Sequence, residues 1–332
     1  MPPIHSLEAM RQRLLSPRTS VADRMRTIFG LKGVGTDGAV DILCEALLND
    51  GETSVLVKHE LAYVLGQMRN HRANATLKRV LGSRTENSMV RHECAEALGA
   101  IATDDVEAAL QVYAGDLAEV PEVRETCQLA LARVRWLRAR DPKSSDRPTD
   151  TRGSGIDPVF LSVDPAPPLP VTPASPDVQA LRAMLLDARA PLFSRYQAMF
   201  SLRNLNTDES ALALCDGLLL DRSSALFRHE IAFIMGQTCR ECTLLALATA
   251  LNDPREHPMV RHEAAEAIGA IGTPAATRLL QQRRADAERV VRESCEVALD
   301  IAEHVTSDET HYADVLCPLN ATPSSATEGL HL

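Results

Sequence analysis

Four histidines fix the frame of this chain. His59 and His92 stand 33 residues apart, His229 and His262 stand 33 apart, and each of the later pair follows its counterpart by 170. Each is followed by glutamate and opens the same pattern, His-Glu-x-Ala-x-x-x-Gly, in "VKHELAYVLGQM", "VRHECAEALGAI", "FRHEIAFIMGQT" and "VRHEAAEAIGAI". A period in the low thirties, itself duplicated, restricts the fold to stacked supersecondary units that bury their apolar faces only against one another.

The duplication extends beyond the histidines. "LKGVGTDGAVDILCEALLND" at 31–50 parallels "LRNLNTDESALALCDGLLLD" at 202–221, and "VRETCQLAL" at 123–131 parallels "VRESCEVAL" at 291–299. These last units carry Glu125-Thr126 and Glu293-Ser294 where His-Glu would fall, and read as the capping repeats that stacked architectures need at their ends. Asp, Asn, Thr and Gly at the breaks, with helical apolar spacing between them, indicate a helix-turn-helix solenoid. In the unit at 55–68, Val57, Leu61, Val64 and Met68 form one buried stripe, with the histidine off it. Aromatics make up only 3% of the chain, which favours helix over sheet. The expected fold is therefore all-α: a helical-hairpin solenoid in two duplicated halves.

The halves are expected at 1–137 and 178–305. Residues 138–177, rich in Pro, Ser and Asp, read as a linker whose roughly 130 Å reach leaves the placement of the halves open. Residues 306–332 read as a polar tail, whose Asn320-Ala-Thr sequon has no expected use in a cytosolic protein.

Charge narrows the partners. A net charge of −10 lacks the basic field that nucleic-acid binding needs and suits a basic or polyamine-like partner. The first twenty residues contain no apolar signal region, and no stretch approaches the ~18 apolar residues of a membrane span. A cytoplasmic protein, and a monomer, is expected. Eight cysteines without a secretory signal do not suggest a disulfide framework. Cys44 and Cys215 match between the halves, as do Cys127 and Cys295, and read as small core residues. Cys239-Arg-Glu-Cys242 has CxxC spacing but no second pair to complete a structural zinc site.

The four His-Glu pairs carry the chemistry. Ala and Gly at three and seven residues beyond each histidine share its helical face, a strip that serves either close helix packing or room for a ligand. Packed helices lie ~8–10 Å apart, so equivalent histidines on neighbouring repeats point into one space. Two histidines and an adjacent carboxylate could then hold one metal with open positions, the set that suits non-haem Fe(II). Two halves give two metals. The fifth residue of each motif (Tyr63, Glu96, Phe233, Glu266) is not histidine, which excludes the zincin motif. Two metals need only two of the four adjacent glutamates; the spare pair could hold a cationic substrate, and spacing does not say which pair is spare. Glu96 and Glu266, one turn beyond His92 and His262, are either partners of the imidazoles or solvated acids. The Lys58, Arg91, Arg228 and Arg261 that precede the histidines read as surface charges.

With these motifs the chain resembles the deoxyhypusine hydroxylase family, HEAT-repeat di-iron monooxygenases, from about 20 to 305. The likeness rests on the four His-Glu pairs, the "LGQM" and "MGQT" after the first pair of each half, "ALGAI" and "AIGAI" after the second, and "SVDPAPPLP" in the linker. The resemblance implies O2-dependent hydroxylation of the deoxyhypusine side chain, a lysine extended by an aminobutyl group, on eukaryotic translation initiation factor five-A. It implies two irons, one on His59, His92 and Glu93 and one on His229, His262 and Glu263, with Glu60 and Glu230 as substrate-binding acids. No protein acid or base is assigned, and the electron donor is left open. A non-catalytic HEAT scaffold and a dinuclear metallohydrolase are the alternatives.

Overall fold

Each of the four helices that carry a His-Glu pair begins on a side-chain cap. Ser54 Oγ accepts from Val57 N, Asn87 from Met89 N, Ser224 Oγ from Phe227 N, and the His257 ring from Met259 N, each satisfying one amide that the first turn leaves open. The same helices end on left-handed residues, Arg69, Ala102, Cys239 and Gly272, which turn the chain back. The sequence thus folds into short helices with tight reversals. The computed structural model describes residues 6–139, 160–171 and 175–305.

The helices pair in succession. In the first half α1 (Leu7–Leu15) packs on α2 (Val21–Val34), α3 (Asp37–Leu47) on α4 (Val55–Met68), α5 (Asn74–Gly82) on α6 (Ser88–Ile101), and α7 (Val106–Ala114) on α8 (Pro121–Ala139). In the second, α9 (Val178–Leu186) packs on α10 (Leu192–Leu205), α11 (Asp208–Leu220) on α12 (Ala225–Thr238), α13 (Leu244–Asn252) on α14 (Pro258–Ile271), and α15 (Pro274–Arg283) on α16 (Arg289–Val305). The described residues contain no strand, so the expected all-helical HEAT-like fold is borne out. None of their helices is long and apolar enough to cross a membrane. The expected tail at 306–332 and most of the first half of the linker lie outside the described residues.

Val57, Leu61 and Val64 are fully buried, and Met68 is partly so. Cys127, Cys215 and Cys295 are buried and Cys44 half-buried. The Ala–Gly strips are where consecutive inner helices touch. A Cβ added at Gly66 would lie 2.7 Å from the Ala97 Cα, at Gly99 2.7 Å from the Ala130 Cβ, at Gly236 3.1 Å from the Ala267 Cα, and at Gly269 2.7 Å from the Ala298 Cβ. Of the two uses the sequence leaves open, close helix packing is the one observed, because any side chain there would drive the helices apart.

The basic residues before the histidines are not the surface charges expected. Arg91 and Arg261 are buried; each donates back to a carbonyl of the preceding helix of its own hairpin, Leu81 O at 2.9 Å and Leu251 O at 3.0 Å. Their other nitrogens pair with Glu119 at 2.6 Å and Asp286 at 2.5 Å in the following turn. Lys58 and Arg228 reach Glu86 and Glu256, both at 2.7 Å. The arginines at this position each fasten three successive segments, and the distant acid that completes the fastening is not evident from local spacing.

The end repeats also depart from expectation, because neither faces solvent as a cap. Glu125 of α8 accepts from the N-cap Ser224 of α12 at 2.6 Å, and Glu293 of α16 accepts from the N-cap Ser54 of α4 at 2.7 Å. The residue standing in the histidine's place therefore reaches into the other half. The inner helices α4, α6, α8, α12, α14 and α16 close into a ring.

Linker residues 160–171 are not indifferent to how the halves meet. Phe160 stacks under the Arg203 guanidinium, Ala166 is fully buried, and Leu169 N donates to Ser201 Oγ at 2.9 Å. The segment crosses from one half to the other as a strap.

Candidate metal centre

The ring places all four histidines at its middle. His59 on α4 and His92 on α6 have ring centroids 5.4 Å apart, and His229 on α12 and His262 on α14 are 5.2 Å apart. Across the halves, His59 lies 5.8 Å from His229 and 5.2 Å from His262, and His92 lies 5.5 Å from His229. All four are buried, His92 and His262 completely.

Most of their ring nitrogens are left without hydrogen bonds. Both ring nitrogens of His92 and of His229, and Nε2 of His59 and of His262, have no hydrogen-bond partner among the described residues. Carboxylates nonetheless stand close. Glu93 Oε2 is 3.3 Å from His59 Nε2, and Glu263 Oε2 is 3.4 Å from His229 Nε2 and 3.9 Å from His262 Nε2. A buried polar atom without a partner is costly, and native structures rarely keep one without a ligand to satisfy it. Imidazole and carboxylate atoms that converge without bonding to each other are arranged as donors to a common cation.

Three groups have ligand atoms within 4.8 Å of one another: His59 with His92 and Glu93, His262 with Glu263 and Glu266, and His59 with His229 and His262. The first coincides with one expected ligand set. The other expected set, His229 with His262 and Glu263, is not one of these groups, although Glu263 faces both imidazoles. All donors are N or O, and no thiolate joins them, a composition that suits non-haem iron.

Electrostatics agree with a site made for cations. Burial and the neighbouring imidazoles hold His92 and His229 well below the usual histidine range, and burial with the nearby His59 does the same for His262. Burial lowers His59 too, but its contacts to Glu60, at 3.2 Å on Nδ1, and to Glu93 outweigh this and raise it well above that range. Burial, reinforced by neighbouring acids, pushes Glu96, Glu230 and Glu263 well up. Burial raises Glu60 as well, and Glu266 to about 7. These carboxyls cannot all ionise in a dry space until positive charge enters. Glu266 is not a solvated acid: its Oε1 lies 3.5 Å from His262 Nδ1 and accepts from Ser294 Oγ at 3.1 Å. Glu60 and Glu230 are buried and line the same cavity.

Two layers of side chains beyond the histidines go unmarked by the His-Glu pattern. Tyr63 and Phe233 meet edge-on with centroids 5.8 Å apart, four residues beyond His59 and His229. Gln67 and Gln237 follow four residues later and bond the strap. Helical spacing alone puts His59, Tyr63 and Gln67 on one face, but the fifth position serves in the sequence only to exclude a protease.

Proton release offers a direct check. A carboxylic acid held neutral must lose its proton to ligate metal. Ferrous iron added to metal-free protein at neutral pH is therefore expected to liberate protons, with affinity climbing as pH rises, because burial pushes up Glu263, which faces both imidazoles. Calorimetry in two buffers of different ionisation enthalpy reads this, and identical heats would contradict it.

A closed ring of helical hairpins around a buried cage of imidazoles and carboxylates defines the class: a HEAT-repeat protein with a candidate metal site at its centre. HEAT repeats match residues 40–132 and 211–300. The chain is 46% identical to the deoxyhypusine hydroxylase of Homo sapiens over 318 residues, covering 96% of this chain and 98% of that one. It is 45% identical to that of Drosophila melanogaster over 316 residues, 95% of this chain and 98% of that one. The solved structure of human deoxyhypusine hydroxylase in complex with glycerol superimposes with a TM-score of 0.79 over 90% of this chain and 96% of that one, at 46% identity. The chain belongs to the deoxyhypusine hydroxylase family, and is accordingly an oxidoreductase.

Proposed function

We propose that this protein hydroxylates the deoxyhypusine side chain of eukaryotic translation initiation factor five-A, using O2 and two iron ions, in the cytoplasm. The observation that carries the reading is the set of buried imidazole nitrogens without partners, converging with carboxylates, in a chain 46% identical to human deoxyhypusine hydroxylase. The reading assigns His59, His92 and Glu93 to one iron and His229, His262 and Glu263 to the other, so that residues 1–137 and 178–305 each supply one ligand set. Bound there, iron supplies the O2 chemistry that side chains lack.

The protein's own residues bind and orient. Glu60 and Glu230 hold the ammonium groups of the aminobutyl arm, whose positive charge relieves the crowding of buried carboxyls that keeps these acids partly neutral. Glu266 holds the Nδ1 side of His262, leaving Nε2 for metal. Tyr63 and Phe233 give the methylene chain an apolar wall and keep water out.

The test is the mass of the deoxyhypusine-bearing factor after incubation with iron-loaded protein and O2. Gain of one oxygen atom on the modified lysine supports the reading; no gain with two irons bound rejects this substrate. Replacing Glu60 with Gln is expected to raise KM about tenfold or more, as for loss of one charge-assisted hydrogen bond, with the iron content unchanged. Steady-state kinetics with metal analysis checks this.

A further inference from the structure

The "LGQM" and "MGQT" sequences place a glutamine at the same point of α4 and α12, and the metal-site reading leaves both without a role. Along α4, His59, Tyr63 and Gln67 share one face; along α12, His229, Phe233 and Gln237 do. The pairs straddle the line between the halves in layers. The imidazoles lie 5.8 Å apart, the aromatic rings 5.8 Å apart, and the third layer is joined through the strap.

Gln67 clasps the backbone of Val163, accepting from its N–H at 2.8 Å and donating to its carbonyl at 3.4 Å. Gln237 donates to Ser162 Oγ at 2.9 Å and accepts from Arg203 at 3.0 Å. Arg203 is buried and grips Asp164 with both terminal nitrogens, at 2.8 and 2.6 Å. On the other half, Arg133 of α8 donates to Asp164 O at 2.9 Å and to Gly99 O, at the end of the His92 helix, at 2.6 Å. Three consecutive strap residues thus bind α4, α6 and α8 of one half to α10 and α12 of the other.

We infer that Gln67 and Gln237, through strap residues 162–164, are positioning residues that set the separation between α4 and α12, and with it the separation of the two metal-ligand sets. This rests on the function proposed above. Within a half, the paired helices meet at Gly66–Ala97 and Gly236–Ala267 contacts that fix each histidine pair. Between the halves, the imidazole and aromatic layers resist compression but supply no directional tether at this end. The glutamine–strap bonds supply it, because a carboxamide closed on both backbone groups of one residue fixes distance and direction.

The test is the Gln67→Met, Gln237→Met protein, which keeps side-chain length and removes the bonds. It is expected to bind the same two irons as wild type but with an altered iron–iron distance by X-ray absorption. The kcat should fall about 10- to 100-fold, as misplacement by an ångström does, while KM moves less than about twofold. Amide exchange at residues 162–164 should rise. Two irons at the wild-type distance with wild-type kcat, or loss of the irons themselves, would overturn the inference; if the double variant does not fold, each single variant is judged by the same criteria. Wild-type protein measured alongside separates the readings: failure of wild type to bind two irons or transfer oxygen overturns the function, not the strap's role alone.

Discussion

Replacing His262 with alanine is expected to abolish hydroxylation and leave no more than one iron per chain. His262 is fully buried, its Nε2 has no hydrogen-bond partner, and Glu263 faces it at 3.9 Å. Alanine offers no lone pair, so one iron would keep only His229 and a carboxylate, too few ligands for a stable site. Without that cation, burial and the neighbouring acids oppose ionisation of Glu263, which weakens the remaining half-site further. The loss in turnover should be at least roughly a thousandfold, because the function proposed above draws its oxygen chemistry from both metals. His92→Ala should behave alike. Metal analysis with the oxygen-transfer assay decides the matter, and full activity with retained iron in the His262→Ala protein would sink the ligand assignment.

The largest effect on stability is expected at Arg91. Its guanidinium and the Glu119 carboxylate are both nearly inaccessible, and Arg91 also satisfies the Leu81 carbonyl. Removing one member of a buried pair strands the other, at a cost of about 3–5 kcal/mol. That is a large fraction of the ~5–15 kcal/mol that holds a domain folded. Arg91→Ala should therefore lower the urea midpoint sharply. Arg91→Met with Glu119→Leu should recover most of the loss, because two apolar groups leave no charge unpaired. Equal midpoints for Arg91→Ala and wild type would show that the pair is solvated in solution.

What the sequence made legible follows from what repetition encodes. The 33-residue spacing and its duplication gave the helical class, and the recurring His-Glu gave the residues that now stand within one cage. The destinations of the small residues, the basic residues and the cap glutamates were not legible, for one physical reason: each is decided by a partner far along the chain. Gly269 is glycine because Ala298 packs on it, Arg261 is buried because Asp286 meets it, and Glu293 matters because Ser54 lies across the ring. Local pattern shows that a residue is small or charged, whereas only the closed ring shows what it faces. Glu266 illustrates the same limit, since its spacing allowed both a solvated acid and a partner of His262, and burial beside Ser294 separates them.

The bonds of Glu125 to Ser224 and of Glu293 to Ser54 carry a consequence for the history open to such a chain. An open superhelix can gain or shed a unit at either end, since each unit needs only one neighbour. Here each terminal unit already has a partner on both sides, so an inserted hairpin would have no berth and would carry one histidine out of register with the other three. Duplication could build this molecule, but further duplication cannot lengthen it; change is confined to the segments that lie outside the circle.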